Sequence, residues 1–362
     1  MRIGVDAREV GGRPTGAGRY LNGLLRAWAA DDRTRRHEFI LYTPDPLTVE
    51  LNADQFVTRL VPGFPDTWWE QVRLARAANR DRLDAFFAPA YTAPLQLKVP
   101  TVVAIHDVSF VAHPEWFGWR EGIRRRVLTR RSAKRARAIV TISEFSRRAL
   151  IDLLDVPNER LHVIPPGVTA PAGTTASAAP VQRIEERVLF VGSVFNRRHV
   201  PDLVRSFAMV ARRRPRASLD IVGDDRTHPR EDLEGVIRAE SIEGRIHWHR
   251  YVPENQLGGL YARARVFAFL SEYEGLGLTP LEALAVGVPP VLLDTPVARE
   301  GCGNAALYVP PGDLAGTARA LEELLVDSST RARLLAAAPA VLAKYSWSRA
   351  AADTLALIER CS

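Results

Sequence analysis

Strand-like and helix-like segments alternate along this chain from end to end, and such alternation admits few folds. In the first half, short apolar runs read as strands near Arg2–Asp6, Glu38–Tyr42, Ala85–Ala88, Thr101–Ile105, Ala138–Ile142 and His162–Ile164. In the second they recur at Arg187–Val191, Ser218–Val222, Arg245–Trp248, Arg265–Leu270 and Pro290–Leu293. Helical periods fall between them, as at Tyr20–Ala29, where Leu21, Leu24, Leu25 and Trp28 share one face. The pattern predicts an α/β protein with parallel sheets. At 362 residues the chain exceeds one ordinary core and suggests two domains. From Thr169 to Pro180 it is rich in Ala, Thr, Pro and Gly with no apolar period, which reads as a linker. The expected division is a domain over 1–170, a linker over 171–184 and a second domain over 185–346. Two Rossmann-like, doubly wound domains facing each other across a cleft is the architecture this implies.

Composition narrows the class. Cys302 and Cys361 are too few for a disulfide framework or a zinc site, which points to a reducing, cytoplasmic setting. Met1 leads straight into a strand-like run with no secretory leader, and no stretch has the ~18 uncharged apolar residues of a spanning helix. The expectation is a soluble or peripheral protein. The net charge of +7 rests on arginine, since Lys98, Lys134 and Lys344 are the only lysines. Arginine makes the better diphosphate fork but forms no Schiff base, which argues against a pyridoxal-phosphate enzyme.

In open parallel sheets, ligands bind beyond the carboxyl ends of strands. Five unusual sequences stand at such ends: Gly11 to Gly18, His106-Asp107, Gly192 to Arg198, Gly223-Asp224-Asp225, and Ser271 to Glu282. The last is the most informative. Gly275 and Gly277 let backbone approach a ligand, and Thr279, Pro280 and Glu282 read as a helix start with Thr279 as N-cap. A glycine-bearing loop feeding a helix N-terminus offers N–H groups and a positive dipole end to an anion. Glu274 and Glu282 flank it and suit sugar hydroxyls. Phosphate and polyol together describe a nucleotide-sugar. The same Thr279-x-x-Glu282 also matches a capping box, in which Glu282 only bonds back to the N-cap.

The other sequences carry two readings each. Thr15 to Tyr20 is either a tight turn or a loop closing over phosphates; it has neither the dinucleotide fingerprint nor a Walker lysine. His106 with Asp107 is either a structural pair or a hydrogen-bonding group on the cleft floor. His113 reads as loop chemistry beside Pro114. Arg197 and Arg198 are either a solvated face or a diphosphate clamp, and their place at a strand-to-helix turn favours the clamp. Arg120 to Arg137 holds nine basic side chains and one acid. It is either a solvated helix or a patch meeting an anionic membrane surface or a lipid-linked phosphate acceptor, with Trp116, Phe117 and Trp119 beside it and Trp68-Trp69 elsewhere in the same half. Nothing resembles a nucleic-acid-binding module, so no nucleic-acid partner is expected.

These residues, taken in order, resemble family GT4 of the retaining glycosyltransferases, which have the two-domain GT-B fold. The resemblance runs nearly end to end through Thr15–Tyr20, Ile105-His106-Asp107 to His113-Pro114-Glu115, Thr141 to Ser146, Val163 to Val168 and Phe190-Val191-Gly192. It continues through Ile221 to Asp224, the Glu-x7-Glu pair Glu274 and Glu282, and Gly303 to Tyr308. It implies that the C-terminal domain binds a nucleotide-sugar, with Glu282 on the ribose, Glu274 on the donor sugar, and the amides of Gly275, Leu276, Gly277 and Leu278 beside sugar and phosphate. Arg198 stands where such enzymes usually carry a lysine. Their partner arginine is Ser193 here, with Arg197 as the substitute, and the residue after the lysine, usually Asn or Gly, is His199. The resemblance also places Gly223 and Asp224 at the donor, brings Gly16, Ala17 and Gly18 to its phosphates, and sets His106 near the transferred sugar. Asp107, Arg124 and Arg125 fall to the acceptor side. The catalytic set expected is His106, Glu274 and Arg198. The final helix, 347–362, would complete the first domain.

By the same resemblance the reaction needs no metal and no cofactor, retains anomeric configuration, and moves a hexose to a sugar or lipid-linked acceptor in polysaccharide or glycolipid synthesis. His-Asp followed by His-Pro-Glu resembles the mannosyltransferase-like branch, so GDP-mannose is the first expectation for the donor and UDP-glucose the second. The rival readings are a nucleotide-sugar-binding protein without catalysis and a basic, membrane-associating α/β scaffold. Intact glutamates and His106 favour the enzyme.

Overall fold

The computed structural model describes residues 1–11, 16–47, 51, 54–171, 174 and 186–362, so most of the stretch read as a linker lies outside the described residues. The chain forms two compact units. One comprises Met1–Ala112, Trp119–Gly167 and Tyr345–Ser362; the other comprises His113–Gly118 and Val168–Lys344.

The first unit carries seven strands: β1 (Arg2–Asp6), β2 (Glu38–Thr43), β3 (Phe56–Leu60), β4 (Ala85–Ala88), β5 (Thr101–Ala104), β6 (Ala138–Thr141) and β7 (Leu161–Val163). They pair in parallel, in the order β3-β2-β1-β4-β5-β6-β7. The second unit carries β8 (Arg187–Val191), β9 (Ser218–Val222), β10 (Ile246–His249), β11 (Val266–Phe269), β12 (Pro290–Leu293) and β13 (Leu307–Val309), again all parallel, in the order β10-β9-β8-β11-β12-β13. The central strands β4, β6, β11 and β12 are buried at every position, as helices covering both faces of a parallel sheet require.

Two strands, β3 and β13, fall outside the runs read as strands. β3 is an edge strand exposed at four of its five residues, and β13 is a three-residue edge strand. An edge strand has one neighbour and less to bury, so its sequence carries a weaker signal.

The last helix, Trp347–Cys361, packs in the first unit against the helix Gly16–Ala29. Trp28 Nε1 donates to the Ala351 carbonyl at 2.9 Å, and the Trp347 ring lies in a recess cut by two glycines. A Cβ on Gly23 would stand 2.5 Å from that ring, and a Cβ on Gly167 would meet it as well. Gly16, by contrast, has nothing within 4 Å of the corresponding point. We therefore expect Gly23→Ala to lower the unfolding free energy by about 1–3 kcal/mol through overpacking. Gly16→Ala should stay within about 0.5 kcal/mol of the parent. Urea denaturation of the three proteins decides it; equal midpoints would mean that the tryptophan shifts without cost.

Candidate active site

In the second unit, β8 has β9 on one side and β11 on the other, so its carboxyl end is the point where strand order reverses. Ligands bind at such points because the loops leaving neighbouring strands diverge there. Gly192 follows β8 and Gly223 follows β9, both with φ +147°, a conformation side chains resist. A Cβ on Gly223 would run into the Gly192 carbonyl, and one on Gly192 would run into the Arg198 guanidinium. The two glycines thus let Arg198 lie directly over the strand ends.

The loops after β8 and β11 and the end of β11 itself converge on that arginine. Arg198 Nε donates to Glu274 Oε1 at 2.8 Å, and one terminal nitrogen donates to the Ser193 carbonyl at 2.9 Å. Its guanidinium lies 5.4 Å from the centre of the Phe195 ring and 5.0 Å from that of Phe269. Arg197 approaches the same Glu274 oxygen at 3.7 Å and lies 4.6 Å from the Phe195 ring centre. Ser271 Oγ donates to Glu274 Oε1 at 3.0 Å, and the Glu272 amide donates to the Arg197 carbonyl at 2.9 Å, joining the loop after β8 to the loop after β11. The side chains of both arginines are 14% exposed and that of Glu274 15%, so their attractions act in a medium well below the dielectric of water. Asp224 is exposed; its carbonyl accepts the Val194 amide at 2.8 Å. His199 takes φ +44°, the left-handed region that asparagine and glycine favour.

The loop then enters the helix Leu278–Ala285. Its N-cap is Gly277, at φ +87° and with no side-chain cap, which corrects the expectation that Thr279 occupies that place. Pro280 sits third in the helix rather than first, where its missing N–H is one of those that lack an intrahelical partner anyway. A capping box needs Ser or Thr at the N-cap, so that reading of Glu282 falls. Glu282 Oε2 instead accepts the Tyr261 hydroxyl at 3.1 Å, and Gly275 and Leu276 are buried in the loop before it.

In the first unit, Gly16, Ala17 and Gly18 open the helix Gly16–Ala29, while Thr15 lies outside the described residues. His106 follows β5, buried between the edges of two rings, Tyr20 at 4.7 Å and Tyr91 at 5.6 Å. Its Nε2 lies 2.7 Å from the Pro89 carbonyl, which can only accept, so Nε2 carries the proton and Nδ1 the lone pair. Burial holds the imidazole pKa below its ordinary value. Asp107 accepts the Ser109 amide at 2.9 Å and hydroxyl at 2.7 Å on one oxygen and the Tyr91 hydroxyl at 2.9 Å on the other, which makes it the brace of the short helix Ser109–Ala112. Arg124 and Arg125 are exposed on the helix Trp119–Arg135, and Arg125 pairs with Glu121 at 2.6 Å.

Within the second unit the structure thus gathers Ser193, Arg197, Arg198, Gly223 and Glu274, with Gly275 to Leu278 and Glu282 following. Within the first it sets His106 beside Asp107. Several contributors escaped the sequence reading. Phe195, Tyr261 and Ser271 hold the arginines and the two glutamates, and an aromatic or serine in a loop carries no distinguishing signal. In the first unit, Arg8 bridges two buried carboxylates, Asp6 at 2.9 Å and Glu70 at 2.7 Å. His113 stacks on Trp116 at 3.9 Å and meets the edge of Tyr273, next to Glu274, at 5.4 Å. A cavity of about 490 Å³ beside β7, lined by Arg147, His162, Asp353 and Arg360 among others, takes no part in these arrangements.

Known proteins resemble this chain in sequence and in fold. O-antigen chain mannosyltransferase B of Escherichia coli is 27% identical over 286 residues, 77% of this chain and 75% of that protein. The MMP alpha-(1->4)-mannosyltransferase of Mycolicibacterium hassiacum is 25% identical over 347 residues, 89% of this chain and 82% of that one. Among solved structures, sucrose-phosphate synthase of Thermosynechococcus elongatus superposes with a TM-score of 0.79 at 18% identity, covering 99% of this chain and 98% of that one. The Anabaena protein HepE, solved with UDP and glucose, gives 0.76 at 18% identity, covering 99% and 100%. Residues 14–170 match the family model "Glycosyltransferase Family 4" and residues 179–341 match "Glycosyl transferases group 1", so that the chain belongs to the family 4 glycosyltransferases, with the GT-B fold.

Proposed function

We propose that this glycosyltransferase moves a hexose from a nucleotide-sugar to a sugar or lipid-linked acceptor with retention of configuration, in polysaccharide or glycolipid synthesis. The observation that carries the reading is the convergence of Arg197, Arg198 and Glu274 at the carboxyl ends of β8 and β11. Two guanidinium groups match the oxygens of a diphosphate bidentately. Glu282 takes the ribose hydroxyls, and Glu274 takes hydroxyls of the sugar. The backbone from Gly275 to Leu278 lies along sugar and phosphate. The bond from the anomeric carbon to the diphosphate breaks, and a bond to the acceptor oxygen forms on the same face. The acceptor proton passes to the departing phosphate oxygen. The charge that develops on the diphosphate is met by fixed guanidinium groups, so the step as we read it takes no metal and no cofactor. GDP-mannose is the preferred donor, which the two mannosyltransferase relatives support, and UDP-glucose is second.

An anionic membrane surface, at the cytoplasmic face, is the partner we propose for the first unit. No helix among the described residues is long and apolar enough to cross a membrane. The helix Trp119–Arg135 buries Gly122, Thr129, Ser132 and Ala133, yet exposes Trp119, Ile123 and Val127 at four-residue spacing, the first of them 70% exposed. Arg120 and Arg124 adjoin that stripe and Arg131 continues it one turn on, while the acid Glu121 is paired with Arg125. An apolar stripe edged by cations suits a bilayer with acidic headgroups.

Four outcomes are expected. In a thermal-shift panel run with EDTA, GDP and GDP-mannose should raise the melting temperature more than UDP and UDP-glucose. A ligand at a hundredfold excess over its Kd stabilises by about 2.7 kcal/mol. Glu282→Ala should shrink the shift for nucleotide and nucleotide-sugar alike, and a variant that keeps both shifts would remove Glu282 from the ribose. Arg198→Ala should weaken donor binding by about 1.5–3 kcal/mol, more than Arg197→Ala, because Arg198 stands where the family carries its diphosphate-binding cation; calorimetry showing small, equal losses would end the clamp assignment. Vesicles containing phosphatidylglycerol should co-sediment the protein at low salt and release it at high salt, and Trp119→Ala should weaken the association. No sedimentation at low salt would return the helix to a solvated face.

A further inference from the structure

Glu274 occupies an unusual position for a residue meant to hold a sugar. Its Oε1 takes the short Arg198 contact at 2.8 Å, the Ser271 hydroxyl at 3.0 Å and the longer Arg197 contact at 3.7 Å. Those same guanidinium groups are the ones that suit a diphosphate, and both rest against Phe195. We infer that Glu274 is an internal stand-in for the diphosphate. It neutralises Arg197 and Arg198 until a donor arrives, competes with phosphate oxygens for them, and is handed to the sugar only when the diphosphate has taken its place. The inference rests on the proposed function, in which this site takes a nucleotide-sugar.

Charge governs the exchange. Two guanidinium groups in a largely desolvated pocket repel each other and lack water, so a ligand-free clamp needs a counter-ion to stay formed. A single carboxylate supplies one negative charge, which a diphosphate exceeds. The exchange is therefore favourable in the forward direction while part of its gain is cancelled by breaking the carboxylate contacts. A nucleotide-sugar recovers that loss, because the displaced Glu274 accepts hydroxyls of the sugar. A bare nucleoside diphosphate does not. The carboxylate thus weakens the product relative to the donor and, once the sugar has left, returns to the arginines and helps expel the product. Ser271, buried and bonded to the same oxygen, is the positioning residue that keeps Glu274 over the site after the arginines are taken.

The test is isothermal titration calorimetry with EDTA, using inorganic pyrophosphate, and then GDP or UDP, whichever stabilises the parent, with its sugar conjugate. Glu274→Gln should bind pyrophosphate and the bare nucleotide about fivefold to tenfold more tightly than the parent, the scale of one partly desolvated ion pair, while losing affinity for the sugar conjugate. Glu274→Ala should move in the same direction, and its ligand-free melting temperature should fall and be restored by pyrophosphate. Ser271→Ala should leave pyrophosphate within about twofold but narrow the preference for sugar conjugate over nucleotide, and Ser271→Thr should restore it. Equal or weaker pyrophosphate binding by both Glu274 variants, with the parent binding normally, overturns the inference and leaves the clamp standing. If the parent binds none of these ligands, or Arg198→Ala binds pyrophosphate as the parent does, the proposed site itself fails and the inference falls with it.

Discussion

The arrangement in the second unit depends on the absence of side chains at Gly192 and Gly223. The ladder continues past the formal ends of the strands, with Gly192 N donating to the Val222 carbonyl and Gly223 N to the His249 carbonyl, both at 2.8 Å. Within that ladder the Gly223 backbone presses on Gly192, and the Gly192 backbone on Arg198, at distances that admit no Cβ. The guanidinium is thereby brought down onto the sheet and stacked on Phe269, a residue of β11 itself. Rigid strands, rather than the loops alone, fix where the positive charge stands. Glu274, Ser271 and Phe195 then have a stationary target to pack against.

The first unit handles buried charge differently. Asp6 and Glu70 share Arg8, and Thr92 Oγ1 donates to Glu70 at 2.6 Å. Burial outweighs the attraction of Arg8 for Asp6 and pushes its carboxyl up to about 6. A raised carboxyl pKa means that the folded state prefers the proton, so the ionised Asp6 weakens the fold as pH rises from its ordinary range through about 6. Burial favours the neutral form of His106 too, here by lowering its pKa, and the Pro89 carbonyl fixes the tautomer. The loop after β4 ties the two together: Pro89 accepts from His106, Tyr91 braces Asp107, and Thr92 binds Glu70. A neutral histidine with one committed nitrogen is a hydrogen-bonding group for hydroxyls rather than a cation for phosphates.

The sheets were legible because a strand buried on both faces must be apolar throughout: β4 and β12 fall where Ala85–Ala88 and Pro290–Leu293 predict them. β3 and β13 were not: β3 is exposed at four of its five residues and so escapes that pressure, and β13 is only three residues long. At the site, the arginines, glutamates and glycines stood out as residue types rarely wasted at strand ends. Their actual partners did not. That Ser271 faces Glu274 and Tyr261 faces Glu282 depends on how a loop and a helix fold onto their neighbours. The helix start shows the limit clearly. Thr279-Pro280 has the chemistry of an N-cap followed by a first residue, yet Gly277 reaches the left-handed conformation and begins the helix two residues earlier than that reading.

The arginine at position 198, where the family resemblance leads one to expect lysine, is matched to its surroundings. An ammonium group on a flexible stem acts as a point charge, whereas a guanidinium has a flat face and a fork of donors. The pocket uses each of these features at once. The face lies near Phe269 and Phe195, one nitrogen serves Glu274, and another serves the Ser193 carbonyl. The residue expected to be a second arginine is that same Ser193, whose backbone oxygen accepts from Arg198, while Arg197 brings its cation from the neighbouring position onto the shared Phe195 ring. The cationic pair has moved along the chain but not away from the strand end, and Phe195 is what allows both planes to settle there. Lysine at 198 would keep the charge and lose the stacking and the fork, so the pair behaves as one unit whose geometry depends on guanidinium chemistry rather than on charge alone.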